Sequence, residues 1–386
     1  MSVKNWQRGG FGIYIHWPFC QAKCPYCDFN SHVTANIDQS RWKRAYLLEL
    51  DRMSELTKDC VVSSVFFGGG TPSLMDPDLV ASMIERIKRN WRCRNELEIT
   101  LEANPTSVEA GRFIGYRDGG VNRVSMGIQA LNNRDLKALG RLHSVDEAKS
   151  AFEIARSTFP RVSFDLIYAR QDQTLADWHS ELSDAMEMAV DHLSLYQLTI
   201  EDGTAFGDRF SRGKLGGLPS DDTSADMYEL TQELTETAGF SGYEVSNHAR
   251  EGQESQHNLI YWRGGDYAGI GPGAHGRIEI EGKRCATETP LAPGKWLEQV
   301  ENTGSGDGKV EVLSNEEQAL EYLLMSLRLK EGCDLVHLRA LDRYLVSDNK
   351  ISNLIDQNRL IRTKDTLVVP PKSRILLNAI LAELAR

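Results

Sequence analysis

The chain has 386 residues, 41% of them hydrophobic, and a formal net charge of −11. That length suits one large α/β domain with a smaller companion, and the acidic balance argues against a nonspecific nucleic-acid or anionic-membrane surface. No apolar run reaches the ~20 residues of a membrane span. The start, MSVKNWQRGG, has no signal-peptide core, and seven cysteines with three clustered fit a reducing compartment; the expectation is a cytoplasmic protein that is not itself a membrane protein.

A strand-like run at 11–16 feeds the segment YIHWPFCQAKCPYCDFN, where Cys20, Cys24 and Cys27 stand at C-x3-C-x2-C. Thiolates are the usual ligands of iron–sulfur clusters, and such short spacing lets one loop hold three corners of a four-iron cube. The fourth iron is then open to an exchangeable ligand, as catalytic zinc keeps a vacant position. Ile13, Ile15, Trp17 and Phe19 before the loop, and Tyr26 within it, would keep water away. A zinc ribbon would need a second cysteine pair, which the spacing of Cys60, Cys93, Cys285 and Cys333 does not offer.

Beyond the loop the pattern alternates. Residues 38–56 read as an amphipathic helix, with Trp42, Ala45, Tyr46, Leu50 and Met53 near helical spacing. The β-branched run 61–67 stops at Gly68-Gly69-Gly70-Thr71-Pro72. Helices expected at 79–90, 108–117, 146–156 and 175–189 precede strands at 97–101, 123–127, 162–168 and 193–200. Six strands alternating with helices argue for βα units and a parallel sheet, whose ligands gather at the carboxyl ends of the strands. Residues 203–222 read as a long surface connection, and 223–238 as a helix. The stretch 243–278 is dense in Gly, His, Tyr and Trp. At Ser314 a capping box opens a helix. Helices near 335–345 and 350–357, the hairpin-like IRTKDTLVVP and a last helix from Ser373 follow, in an order similar to a winged helix. Its acidic residues and scattered basics speak for packing against the larger domain rather than for reading DNA. The expected units are 1–240, a connecting region at 241–313, and 314–386.

Polar residues end these strands. The glycines at 68–70 let backbone approach a ligand and offer free N–H groups. Glu102 in LEITLEANP, Gln129 in SMGIQAL and Arg141 in LGRLH follow strands, while Asp165 in SFDLIYA needs a partner, whether ligand or structural arginine. Together the cysteine loop and GGGTP resemble the radical S-adenosylmethionine (SAM) superfamily, in which the SAM amino and carboxylate groups occupy the open iron. The resemblance covers roughly residues 10–240. It implies a [4Fe-4S] cluster on Cys20, Cys24 and Cys27 and a partial (β/α)6 barrel; with the C-terminal, mostly helical, winged-helix-like domain read from its element order, the expected fold class is α/β.

The series HWPFC-x3-CPYCDF, GGGTPS, EANP, GIQ, LGRLH and FDLIY is similar to the oxygen-independent coproporphyrinogen III oxidase family. That likeness implies SAM-side roles for Tyr14 and Tyr26, and SAM contacts for Gly69, Gly70, Thr71, Glu102, Gln129, Arg141 and Asp165. Members can hold two SAM molecules, and the division of residues between them stays open. Where the family commonly reads GLPGQT after DLIY, this chain has Ala169-Arg170-Gln171-Asp172-Gln173-Thr174.

Two features set the chain apart from the decarboxylating oxidase, which resembles C-x3-C-x2-C-x-C and carries a long N-terminal extension. Phe29 stands at the fourth position, and 19 residues precede Cys20. The sequence CPYCDFNSH together with His257-Asn258-Leu259-Ile260-Tyr261-Trp262, an HN-x2-YW motif, resembles the heme-chaperone branch instead. Imidazole is a natural ligand of heme iron, and aromatics pack porphyrins; chemistry alone favours reading His257 as a histidine satisfied by backbone in a glycine-rich loop, and the resemblance turns the reading towards heme. His275 in GIGPGAHG is the next candidate, with His16 and His143 assigned to SAM or packing. The expectation is a heme chaperone using a [4Fe-4S] cluster and SAM, passing heme to an acceptor hemoprotein such as a membrane respiratory enzyme. The alternatives are oxidative decarboxylation of coproporphyrinogen III and a radical SAM methyltransferase.

Overall fold

The computed structural model describes residues 3–34 and 36–385. Six strands stand side by side in chain order, all parallel: β1 (Phe11–Trp17), β2 (Val61–Gly69), β3 (Arg92–Ala103), β4 (Arg123–Gln129), β5 (Arg161–Tyr168) and β6 (His192–Gln197). Helices Gln39–Leu56, Pro77–Asn90, Val145–Thr158 and Leu175–Met188 connect them, their apolar faces buried on the sheet. Each begins where the sequence provides a start signal: Asp38, Ser144 and Thr174 cap by accepting from backbone N–H groups, and Pro77 occupies the first turn of its helix. This is the partial (β/α)6 barrel. No helix among the described residues is long and apolar enough to cross a membrane.

Several expectations need correction. The helix expected at 108–117 is two short ones, Ser107–Ala110 and Phe113–Asp118, between which the Arg112 guanidinium donates to the carbonyls of Ser73, Leu74 and Met75. The last barrel strand ends at Gln197, because Leu198 and Ile200 turn into a small apolar cluster with Phe206, Leu215 and Tyr26. Residues 203–222 are therefore more than a surface connection. They contain the helix Ala205–Ser211, whose buried Phe206 lies under the cysteine loop, its N–H donating to Pro25 O at 2.8 Å.

The stretch expected to connect two domains belongs to the sheet itself. β7 (Ser241–Gly242) and β8 (Asn247–Ala249) extend it antiparallel beyond β6. On the other edge β9 (Asp266–Ile270) runs parallel to β1, followed by antiparallel β10 (His275–Ile280), β11 (Lys283–Glu288) and β12 (Lys309–Val312). Hydrophobic periodicity missed these strands because they are two to six residues long and of mixed polarity, too short to carry a clear alternation. The boundary at 240 thus cuts through one twelve-stranded sheet.

Residues 315–385 build a second core on helices Asn315–Ser326, Leu335–Leu341, Asp348–Asp356 and Leu377–Ala385 with a three-stranded sheet. This unit packs against the barrel edge: the buried Arg374 donates to Gly242 O at 3.0 Å, and Lys330 N to Tyr243 O at 2.9 Å. Arg263–Glu331 and Arg277–Glu321 ion pairs line the same seam.

Behind the cysteine loop lies an aromatic wall. Trp17, Phe19, Trp42, Tyr46 and Trp296 pack with centroids 5.2–6.2 Å apart, and Trp42 and Trp296 stack at an interplanar angle of 3°. Tyr46 Oη donates to His16 O at 2.5 Å, fixing the end of β1. Trp296 comes from the helix Pro293–Thr303, inside the supposed connection, and is wholly buried. Trp296→Ala should cost about 3–5 kcal/mol by cavity formation, and in a urea melt the loss should appear in the barrel's main transition. A separate early transition would show that residues 241–312 fold apart from the barrel.

Candidate functional site

The site is built where three segments meet at the carboxyl ends of the strands. Gly70 N donates to Trp17 O at 2.7 Å and Thr71 N to Phe19 O at 2.8 Å, so GGGTP is stitched to the entry of the cysteine loop by backbone bonds. A Cβ at Gly70 would stand 2.8 Å from Phe19 O and 2.9 Å from Trp17 O, too close for any other residue. Gly69 has φ +107, and a Cβ there would press into the His16 ring.

One cavity is lined by Cys20, Cys24, Cys27, Tyr26, Gly69, Gly70, Thr71, Glu102, Gln129, Arg141 and Asp165. Eleven residues singled out from the sequence therefore converge on one space. Tyr14 instead faces an adjoining cleft, which shares Lys23, Phe29, Ser31, Gly69 and Glu102 with the first. Asn104, Ser125 and His143 also line the first cavity. Strand parity could have found Ser125, which stands two residues from Arg123 and Gly127 on one face. Asn104 follows Glu102 by the same step.

The donor set fits a thiolate-bound cluster. Thr71 Oγ1 donates to Cys20 Sγ at 3.4 Å and Arg141 Nη1 to Cys24 Sγ at 3.6 Å. Hydrogen bonds to sulfur of this kind tune iron–sulfur centres. Burial pushes the Cys20 and Cys27 thiols up, opposed by Thr71 at Cys20 and by the Phe29 backbone at Cys27.

Around the sulfurs the cavity prepares polar contacts. Gln129 sits at φ +73, unusual for a residue with a side chain, and its Oε1 is buried without a partner. An orphaned acceptor aimed at a cavity fits a ligand carrying N–H or O–H groups. Arg141 Nη2 donates to Asn104 Oδ1 at 2.6 Å and to Gly127 O at 2.7 Å. His143 donates to or accepts nothing from the cavity side; its Nε2 meets Ile128 O at 3.1 Å, and burial with the nearby Arg141 charge lowers it to about 4.

Deeper in the barrel stand two carboxyl groups. Burial, then the Asp165 charge, raise Glu102 to about 8. Burial raises Asp165 to about 6, against Ser194 and Arg123, which favour its ionised form. A chain leads from Asp165 to the buried Arg123: Ser125 Oγ donates to Asp165 at 3.5 Å, Ser163 to Ser125 at 2.9 Å, and Arg123 to Ser163 at 2.9 Å. Such a pair, one carboxyl neutral and one ionised near neutral pH, is suited to meet a cationic ligand.

The departure at Ala169–Thr174 has a structural account. Arg170 is buried and pairs with Asp135 at 2.8 Å and Glu181 at 2.5 Å, while Gln173 donates to Glu181 at 3.1 Å. These ion pairs hold the loop after β5.

His257 does not stand as expected. It lies at 1% exposure in the helix Gln256–Trp262, with Nδ1 2.6 Å from Ser64 Oγ and Nε2 2.7 Å from Tyr261 Oη. Burial lowers it to about 3. Both ring nitrogens are engaged, so the imidazole has no free lone pair for an iron atom in this conformation. The Tyr261 ring, by contrast, lines the cleft.

Replacing Cys20, Cys24 or Cys27 by Ser should abolish iron uptake on anaerobic reconstitution. The same change at Cys60, Cys93, Cys285 or Cys333, all outside the cavity, should leave iron content unchanged. A second expectation concerns charge. Glu102→Gln removes a carboxyl whose value is raised in the folded state, so the native carboxyl costs nothing below pH about 4.5 and its full penalty appears above about 8. The variant should melt like the parent at pH 5 and be more stable at pH 8.5, by about 1–3 kcal/mol once cavity water is allowed for.

Residues 14–184 match the radical SAM superfamily. The mitochondrial radical S-adenosyl methionine domain-containing protein 1 of Danio rerio is 38% identical over 330 residues, 84% of this chain and 74% of its own length. The heme chaperone HemW of Haemophilus influenzae is 36% identical over 381 residues, 96% of each chain. Among solved structures, the coproporphyrinogen III oxidase HemN of Escherichia coli superposes with a TM-score of 0.81 at 21% identity, covering 97% of this chain and 90% of that one, which establishes the common fold. The chain belongs to the radical SAM superfamily, whose members use a [4Fe-4S] cluster and SAM, and within it to the family that holds the HemW proteins.

Proposed function

We propose that this protein binds heme beside a radical SAM-type cluster and delivers it to an acceptor hemoprotein, with membrane respiratory enzymes as the acceptor class. The observation that carries the reading is kinship over 96% of both chains with a protein named as a heme chaperone. Cys20, Cys24 and Cys27 would hold the cluster. Gly69, Gly70, Thr71, Gln129 and Arg141 would fix the polar end of SAM, with Tyr26 against it, and Glu102 and Asp165 would answer its positive charge. Bound SAM supplies a cleavable carbon–sulfur bond. The chain's own residues orient it, exclude water, and keep the Cys20 and Cys24 sulfurs hydrogen-bonded.

The adjoining cleft, of about 650 Å³, supports a place for the heme. Volumes of this size suit cofactors. Tyr14 and Tyr261 stand on its wall, so a macrocycle there would lie against aromatic rings beside the cluster. His257 would act through Tyr261, holding its hydroxyl.

Titration of the anaerobically reconstituted protein with ferric heme tests the proposal: saturable binding of one heme per chain is expected, followed by transfer to an apo-hemoprotein faster than heme escapes to a scavenger. Coproporphyrinogen III, given with SAM and reductant, should yield no protoporphyrinogen, since Phe29 stands at the place of the fourth cysteine in the C-x3-C-x2-C-x-C pattern of the oxidases. Repeated turnover would replace the carrier reading by the oxidase.

A further inference from the structure

If heme sits in the cleft, its iron needs a ligand that the HN-x2-YW motif does not present. Three histidines line that space: His16, His32 and His275. His16 is buried with both nitrogens engaged, Nδ1 at 3.1 Å from Tyr14 Oη and Nε2 at 2.9 Å from Asn30 O. His32 commits its outer nitrogen, Nε2, to Asn30 Oδ1 at 3.1 Å, leaving only the nitrogen beside its own main chain.

His275 differs. It opens β10, its side chain is 58% exposed, and it stands directly opposite Glu288 in the β10–β11 register. Nδ1 lies 4.0 Å from Glu288 Oε1. At that distance the carboxylate stands beside Nδ1 without a direct hydrogen bond to it. Neither ring nitrogen has a hydrogen-bond partner among the described residues, so Nε2, the outer one, is free to present a lone pair.

We infer that His275, through Nε2, is the protein ligand to the iron of heme held in this cleft. The inference rests on the heme-carrier reading and assigns it a residue. Apolar contact for the macrocycle comes from Tyr261 and Tyr267, packed edge to face at 4.5 Å, and from Phe29 and Leu291, exposed at 58% and 63%. Exposed large apolar side chains around one concavity mark a binding surface. Lys23 provides the cation for a propionate, against Asp28 and Glu102 on the same lining.

The rim that carries His275 is fastened to the cysteine loop. Asn30 Nδ2 donates to Pro272 O at 3.0 Å and Leu291 O at 2.9 Å. Gly273, at φ +79, brings backbone so close that a Cβ would collide with the Asn30 side chain. An iron ligand two residues beyond that junction is held in fixed relation to the cluster loop, as a ligand on a rigid element should be.

The test uses the full chain with its cluster reconstituted, titrated with ferric heme and followed by optical and electron paramagnetic resonance spectra. His275→Ala should weaken heme binding at least tenfold and shift the Soret band, with iron content and SAM binding unchanged, and added imidazole should restore the parent spectrum. His32→Ala should bind heme as the parent does. Parent-like affinity and spectrum in His275→Ala would overturn the ligand assignment while leaving the carrier reading intact, and so would a spectral change confined to His32→Ala. Absence of saturable heme binding by the unaltered protein would overturn both.

Discussion

One guanidinium ties together three of the segments that build the site. Arg141 reaches Cys24 on the cysteine loop, Asn104 just past β3 and the Gly127 carbonyl near the end of β4. Burial alone would make this charge costly, but Tyr26 and Cys24 more than offset that cost and raise its value. A planar fork with several fixed donors can tie three chain segments at once, where a lysine would reach one. The loop has little regular structure of its own, with only the two-residue strands Phe19–Cys20 and His32–Val33. Its shape therefore depends on such ties, on the backbone bonds from GGGTP, and on the aromatic wall behind it.

That dependence explains why distant parts of the chain serve the cysteine loop. Trp296 backs it through Trp42, Phe206 supports Pro25 from below, and Asn30 fastens it to the turn before β10. Each contact comes from a segment that the sequence presents as connection or glycine-rich filler. A loop that must hold three thiols in place at partial exposure cannot bury enough of itself to be stable, so the rest of the fold supplies the burial.

The barrel was legible because parallel strands covered on both faces read as continuous apolar runs, and because capped helices announce their starts. Five of the six expected strands coincide with observed ones to within a few residues, and β3 begins five residues before the expected 97, at Arg92. The cysteines and the polar strand ends were legible for a different reason: they interrupt apolar patterns where ligands gather. What escaped were contacts between segments far apart in sequence. β9 joins β1 in parallel across some 250 residues, and no local period reports such a pairing. Gln129 shows the limit within one strand. A register shift between Gly127 and Gln129, with positive φ at Gln129, turns its side chain into the cavity, and nothing in SMGIQAL signals it.

His257 is the instructive case. A histidine in a motif rich in aromatics invites metal ligation, yet its burial and its two short hydrogen bonds make it part of the barrel's interior. Its own backbone N–H donates to Glu98, which also pairs with Arg161 at 2.6 Å. The helix Gln256–Trp262 is thereby locked to β2, β3 and β5 at once, with Tyr261 at the end of a rigid relay from Ser64 through the imidazole. Removing the ring would leave Ser64 and Tyr261 without partners, a cost of about 1–3 kcal/mol for each buried group left unsatisfied. The motif's histidine thus governs where its tyrosine points, and an altered heme spectrum on its loss would report a displaced wall rather than a lost ligand. Rescue separates the two: imidazole can refill a vacant coordination site, but it cannot restore a side-chain relay inside the barrel.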